Sequence, residues 1–209
     1  MKGSRAGLAI AGIILLAGCS DAPSVGCALR DSSFFADSLL REGDLVFRRG
    51  TGMVSRAVLM ADKGGIYSHI GLVVRDSGKW KVIHAVPGEP DFPGDPDRIK
   101  KEPLETFFSA KRAKSGAVMR IEGSPEAIGQ SIRKAEGFYR GGTLFDHAYD
   151  LSDTSRMYCT ELIQTVFREA GIDLSAGKLS RINLPGFKGD YILPGDLQNS
   201  PYVKLIYEF

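Results

Sequence analysis

The spacing of hydrophobic and polar positions changes period along the chain. From Met157 to Gly171, MYCTELIQTVFREAG, the apolar residues Leu162, Ile163, Val166, Phe167 and Ala170 fall at helical intervals and Gly171 supplies a stop. The pattern predicts an amphipathic helix with Cys159 at its opening. Upstream, His69-Ile70-Gly71-Leu72-Val73-Val74 and Lys79-Trp80-Lys81-Val82-Ile83-His84 read as strands, with Arg75-Asp76-Ser77-Gly78 between them as a hairpin loop. A four-residue loop pairs Val74 with Lys79 and carries the ladder back until His69 stands directly opposite His84. Their Cβ atoms would then be about 4.5–5.5 Å apart on one face.

The remaining pattern predicts a mixture of helices and strands, an α+β fold. A short helical stretch near Phe34 to Leu40 precedes a turn feeding a strand at Arg41 to Phe47, and a helix follows at Val54 to Ala61. Pro87 to Pro103, rich in proline and acids, reads as an extended loop. Leu104 to Ser109 reads as a helical turn and Ala117 to Ile121 as a strand. Ser124-Pro125-Glu126 combines an N-cap, a proline at the first helical position and an acid in the first turn, opening a helix to about Tyr139. Gly141 to Asp146 leads as a loop towards the Cys159 helix and continues into His147. After Gly171 the chain reads as loop through Lys188, and a last strand runs from Tyr202 to Tyr207.

With 209 residues, 43% hydrophobic and 25% charged, the chain has material for one well-buried domain. Its first residues differ in kind: Lys2 and Arg5, then an apolar run from Leu8 to Leu16, then Leu16-Ala17-Gly18-Cys19. That order is a secretory leader, with a run too short for a comfortable membrane span. The small residues ending on cysteine resemble the lipobox of bacterial lipoproteins, which implies cleavage before Cys19 and lipidation of its thiol. The expected organisation is a signal peptide at 1–18, a lipid-anchored linker at 19–33 and one folded domain at 34–209. Ser20, where Asp would retain such a protein in the inner membrane, points by analogy to the outer membrane facing the periplasm.

Removing the leader takes Lys2 and Arg5 and no acid, so the formal charge falls from +2 to zero. A neutral mature chain argues against nucleic-acid binding. With Cys19 assigned to lipid, Cys27 and Cys159 are left. They can pair in an oxidising compartment or stay apart, and the sequence leaves this open.

Cys159 is the candidate for chemistry. Unpaired N–H groups and the positive end of the dipole favour an anion at a helix start, which predicts a thiol more acidic than the ordinary value of about 8.5. The plain alternative is a small buried hydrophobe. A cysteine nucleophile needs a proton acceptor nearby, and two of the three histidines fall together on the hairpin. His147 reads as solvated or locally hydrogen-bonded. One Cys and two His also suit a zinc centre, but the short ligand spacings of zinc motifs are missing. No metal or cofactor is expected.

These residues carry a resemblance. Glu42-Gly43-Asp44-Leu45, Ser68-His69-Ile70-Gly71-Leu72-Val73, Tyr158-Cys159-Thr160-Glu161-Leu162 and Pro194-Gly195-Asp196-Leu197 resemble, in order, the permuted papain-like cysteine hydrolases of the NlpC superfamily, YaeF/YiiX-type group. The resemblance implies a circularly permuted fold in which an antiparallel sheet or small barrel packs against a helix bearing the catalytic cysteine. It implies Cys159 as nucleophile, His69 as base and His84 as the third, orienting member, a position often held by Glu in close relatives. Glu161 and Asp44 are read as structural. The implied activity is amide hydrolysis in the cell envelope through a Cys thioester, on envelope peptides or acyl-lipids. Two alternatives stay open: a lipid-directed acyltransferase or thioesterase on the same site, and a ligand-binding lipoprotein without catalysis.

Overall fold

The computed structural model describes residues 38–184 and 187–209. The anticipated leader, the Cys19 anchor, the linker with Cys27, and most of the helical stretch anticipated near Phe34 to Leu40 lie outside the described residues. What is described is an α+β fold, a curled and mostly antiparallel sheet with helices on its faces.

The chain enters the sheet at β1 (Leu45–Gly50), crosses α1 (Met53–Ala61), and returns through the hairpin of β2 (His69–Asp76) and β3 (Lys79–Val86). β4 (Arg98–Pro103), α2 (Leu104–Phe107) and β5 (Ala113–Ile121) follow, then α3 (Pro125–Arg140), capped as expected by Ser124 Oγ, which accepts from the Ala127 N–H. Two short strands, β6 (Leu144–Phe145) and β7 (Arg156–Met157), lead into α4 (Cys159–Glu169). A hairpin of β8 (Ser180–Leu184) and β9 (Phe187–Tyr191), the short α5 (Pro194–Gln198) and β10 (Val203–Glu208) complete the chain. The eight-stranded sheet runs β10-β5-β1-β2-β3-β4-β6-β7, with only β6 and β7 parallel.

Alternation divides the sheet into two buried faces. Leu45, Phe47, Ile70, Leu72, Ile83, Ala85 and Met119 pack with Leu162, Ile163, Val166 and Phe167 of α4. Val46, Val73, Val82 and Val118 face the other way, under Leu104 and Phe107 at α2. The apolar stripe read from the sequence therefore fixes α4 against the sheet.

Three expectations need correction. The β2–β3 turn is two residues, not four: Ser77 and Gly78 take φ of 52° and 79°, the positive pair that matches strand twist in tight hairpins. Asp76 thus pairs with Lys79 and Leu72 with Ile83. The segment anticipated as loop to Pro103 ends in a strand, β4, whose Arg98–Pro103 run is paired with β3 along its length. The segment anticipated as loop to Lys188 runs into the β8–β9 hairpin, which pairs only with itself; Ile182 and Leu184 alternate with Arg181 and Asn183, a short signal that the loop reading passed over.

Candidate active site

The corrected hairpin register moves each partner by two positions, so the face is kept and the opposition is lost. His69 and His84 become diagonal neighbours, and continuing the ladder puts Gly71 across from His84. A Cβ at Gly71 would meet Val82 Cγ1 at 2.3 Å and His84 Cβ at 3.2 Å, so the missing side chain lets the imidazole lie close across the strand. The two rings meet with His69 Nε2 and His84 Nδ1 2.8 Å apart.

The same face carries Arg48, paired directly with His69 across β1 and β2, and Lys100, paired with His84 across β3 and β4. Glu102, two residues beyond Lys100, brings Oε1 to 3.1 Å from His84 Nε2. Arg112 Nη1 sits 2.5 Å from the other oxygen, Glu102 Oε2. Burial pushes the Glu102 carboxyl up, but the bonds to His84 and Arg112 outweigh it and hold the group down to about 2. Glu102 is a buried carboxylate.

Its charge sets the tautomers. An ionised carboxylate favours the proton on the ring nitrogen nearest it, so His84 carries hydrogen on Nε2, facing Glu102 Oε1 without an aligned hydrogen bond; Nδ1 of a neutral His84 then accepts from His69 Nε2–H. The remaining lone pair of His69 lies on Nδ1. Burial, first, and then the Arg48 charge keep the His69 imidazole well below its ordinary pKa, and burial lowers His84 despite Glu102. Phe107 stacks on His69 at 5.6 Å and meets His84 edge-on at 5.2 Å, fixing both ring planes.

Cys159 opens α4 as expected. Tyr158 N–H donates to Glu161 Oε2 at 3.3 Å, a backbone cap that gives Glu161 the structural role anticipated for it. Thr160 Oγ1 donates to Ile192 O at 2.6 Å, and Ile192 N–H donates to Tyr158 Oη at 3.1 Å, tying the helix start to the chain before α5. The partly buried thiol lies against the N–H groups of Ile70, Thr160 and Cys159 itself. Ile70 adjoins His69, so the helix start meets the rim where β2 begins. The electrostatics differ from the sequence expectation. Burial raises the thiol to about 11, against the N–H donors and the Arg48 charge, which favour the thiolate. The resting site holds a neutral thiol and a neutral imidazole, because desolvation opposes both charges and exceeds the effect of the helix start.

The other motif residues act as supports. Asp44 receives Arg120 Nε at 2.8 Å and Arg41 N–H at 2.8 Å. Gly195 N–H donates to buried Asp62 at 2.6 Å. Asp146 caps its own loop through Ala148 N–H and Asp150 N–H, and exposed His147 reaches Asp97 at 3.2 Å, apart from the His69–His84 pair.

Sequence reasoning missed four neighbours of the site. Glu102 lay hidden in the supposed loop. Arg48 directly follows the run read as a strand to Phe47, and nothing in the sequence set it apart from Arg49. Arg112 had no signal either. Tyr149, whose charge interaction reaches Cys159, adopts φ of 55°, a left-handed conformation that is uncommon for a bulky residue. A cleft of about 490 Å³ opens beside His69, lined by Arg48, Met53, Val54, Glu89, Lys111 and Arg112. Within it Glu89 bridges two arginines, with Arg48 Nη2 at 2.5 Å and Arg112 Nη1 at 3.1 Å.

The chain finds no match among curated proteins. Among solved structures it is similar to the one described as metalloprotein YiiX from Escherichia coli O157:H7, with a TM-score of 0.66 and 20% identity. The match covers 81% of this chain and 97% of that one, a likeness of fold. A family model described as permuted papain-like amidase, YaeF/YiiX, matches residues 39–207, which takes in both hairpin histidines, β4 and the cysteine helix; the chain belongs to this C92 family.

Proposed function

We propose that this chain is a cysteine amidase of the bacterial cell envelope, with Cys159 as nucleophile, His69 as base, and His84 and Glu102 as the groups that orient the base. The observation that carries the reading is the carboxylate-to-imidazole-to-imidazole chain, at 3.1 and 2.8 Å, ending beside the start of the cysteine helix. His69 Nδ1 takes the thiol proton as sulfur attacks the carbonyl carbon of the substrate amide. The Cys159 N–H steadies the tetrahedral oxyanion. His69 then returns the proton to the departing amine, leaving a thioester. Water, deprotonated by His69, releases the acid and restores the thiol. The neutral resting pair suits this order, since His69 must begin with an unprotonated Nδ1 whose lone pair is free to accept.

The leader and the lipobox-like Leu16-Ala17-Gly18-Cys19 support a location on the outer membrane, facing the periplasm, held by lipid on Cys19. Envelope peptides or acyl-lipids are the substrates within reach from there. The word metalloprotein in the description of YiiX raises a metal reading, and the donor set here does not fit it. His69 Nε2 and both nitrogens of His84 are engaged with one another and with Glu102, which leaves His69 Nδ1 and the Cys159 sulfur, two donors where zinc takes three or four from protein.

The test is labelling of the purified chain with a thiol-directed amide electrophile, followed by turnover assays on envelope peptide amides and acyl-lipid amides. Labelling at Cys159 and hydrolysis, both lost in Cys159→Ala, are expected. Acyl transfer to an added acceptor in preference to water would assign the site to transferase chemistry. A thiol that reacts with no electrophile would leave a binding protein.

A further inference from the structure

α1 lies beside the cleft and is built unlike the other helices. None of its nine residues is buried, and its exposed side carries Met53 at 80%, Val54 at 49% and Met60 at 75% exposure. Met53, Ala57 and Met60 follow at intervals of four and three, one continuous stripe, while Val58 and Leu59 are only partly covered by the rest of the fold. Ile66, just after the helix, is 47% exposed. Charge on this segment has one sign at the surface. Arg49, Arg56 and Lys63 are exposed, whereas the sole acid between Leu45 and Arg75, Asp62, is buried and directed to the Gly195 N–H. Lys111, also exposed, lines the same cleft. The cleft itself is partly walled by Met53 and Val54, so the apolar stripe continues from the surface into the opening beside His69.

An apolar stripe on a segment whose exposed charges are all cationic, on a chain that is otherwise neutral once its leader is removed, is the pattern of a helix that lies in a membrane interface; the nearest acid of the cleft, Glu89, is held between Arg48 and Arg112. We infer that α1 is a docking surface for an anionic lipid bilayer, seating Met53, Val54 and Met60 at the headgroup boundary with Arg49, Arg56 and Lys63 on the phosphates. The occupant follows from charge complementarity: a protein partner covering the stripe would have to supply acids on both flanks, whereas an anionic leaflet supplies them everywhere. Docking turns the cleft towards the bilayer. It thereby deepens the amidase reading, because a substrate with an acyl or headgroup portion in the leaflet would enter past Met53.

The test does not depend on catalysis. Hydrogen exchange of the purified full chain is followed in buffer, with phosphatidylcholine vesicles, and with vesicles containing phosphatidylglycerol. Amides of residues 53–61 are expected to slow by roughly fivefold or more with the anionic vesicles. The slowing should disappear in Met60→Asp and weaken in Arg56→Glu, both exposed positions, and it should persist in Cys159→Ala. Exchange in this segment that is unchanged by anionic vesicles, or slowed equally by neutral ones, would overturn the inference. So would protection confined to other surfaces. Loss of amidase activity with protection intact would sink the catalytic reading and leave the docking surface standing.

Discussion

Arg48 stands directly opposite His69 across the β1–β2 ladder, and its buried guanidinium is a fixed positive charge beside the imidazole. Burial is the larger cause of the depressed His69 pKa and Arg48 is the next. Arg48→Gln should therefore raise that pKa. Since the proposed base, His69, works only while neutral, the acid limb of the rate profile should move to higher pH. The limb is read from kcat/KM against pH; a limb that stays in place, or moves down, contradicts the coupling.

Alkylation of Cys159 by iodoacetamide should accelerate with pH through the ordinary thiol range and beyond it, since burial holds the thiol at about 11. The rate constant is measured from pH 6 upwards. A plateau reached below about 8.5 would instead restore the expectation taken from the helix start alone.

Glu102→Gln removes the charge that selects the His84 tautomer while keeping the shape. Turnover should fall by roughly 10 to 10⁴-fold with the circular dichroism spectrum unchanged, and the loss should fall mainly on kcat. His84→Ala should fall in the same range, His84→Glu should retain more activity than Ala, and His147→Ala should stay near wild type. A Glu102→Gln enzyme as fast as wild type would make the carboxylate a packing group.

Stability should fall on acidification in two stages. His69 and His84 are depressed in the folded chain, so the unfolded chain binds their protons first and stability is lost as pH falls below about 6.5. Glu102, held down to about 2, adds stability that is complete above its unfolded value and is lost as pH falls from about 4.5 towards about 2. Urea midpoints measured between about pH 6.5 and pH 3 should decline in both stages, the first offset in part by Glu161, whose carboxyl burial raises to about 7 so that it gains stability as pH falls towards about 4.5. Glu102→Gln should flatten the lower part of the curve.

Gly71→Ala puts a methyl where 2.3 Å separates it from Val82 Cγ1. A loss of about 1–3 kcal/mol in urea unfolding is expected, with reduced turnover as His84 is displaced. Stability equal to wild type would show that the ladder opens at little cost.

The elements whose periods are strong were legible from residues alone: α4, the β2 and β3 strands, and the capped α3. Parity explains why the histidine pair survived a wrong turn length. An error of two residues returns every side chain to its own face, so the hairpin kept His69 near His84 although the predicted opposition was lost. Glu102 escaped because Arg98–Pro103 holds four charged residues and, apart from its proline, a single apolar one, Ile99, and it is a strand only because β3 is beside it. The thiol's acidity was misjudged for a related reason. Helix position is written in the local sequence, whereas the packing that desolvates Cys159 comes from chain far away.

The order of the site along the chain also has a consequence for synthesis. Arg48, His69, His84 and Glu102 all lie before α2, on strands that pair within one continuous stretch, while α4 follows much later and its start is tied down by Ile192, beyond it in sequence. As the polypeptide emerges, the proton-handling half can assemble first and the sulfur arrives afterwards. A nascent or prematurely terminated chain ending before Cys159 therefore carries the paired histidines and Glu102 without the cysteine proposed to act with them. The reactive centre is completed only when nearly the whole domain has been made.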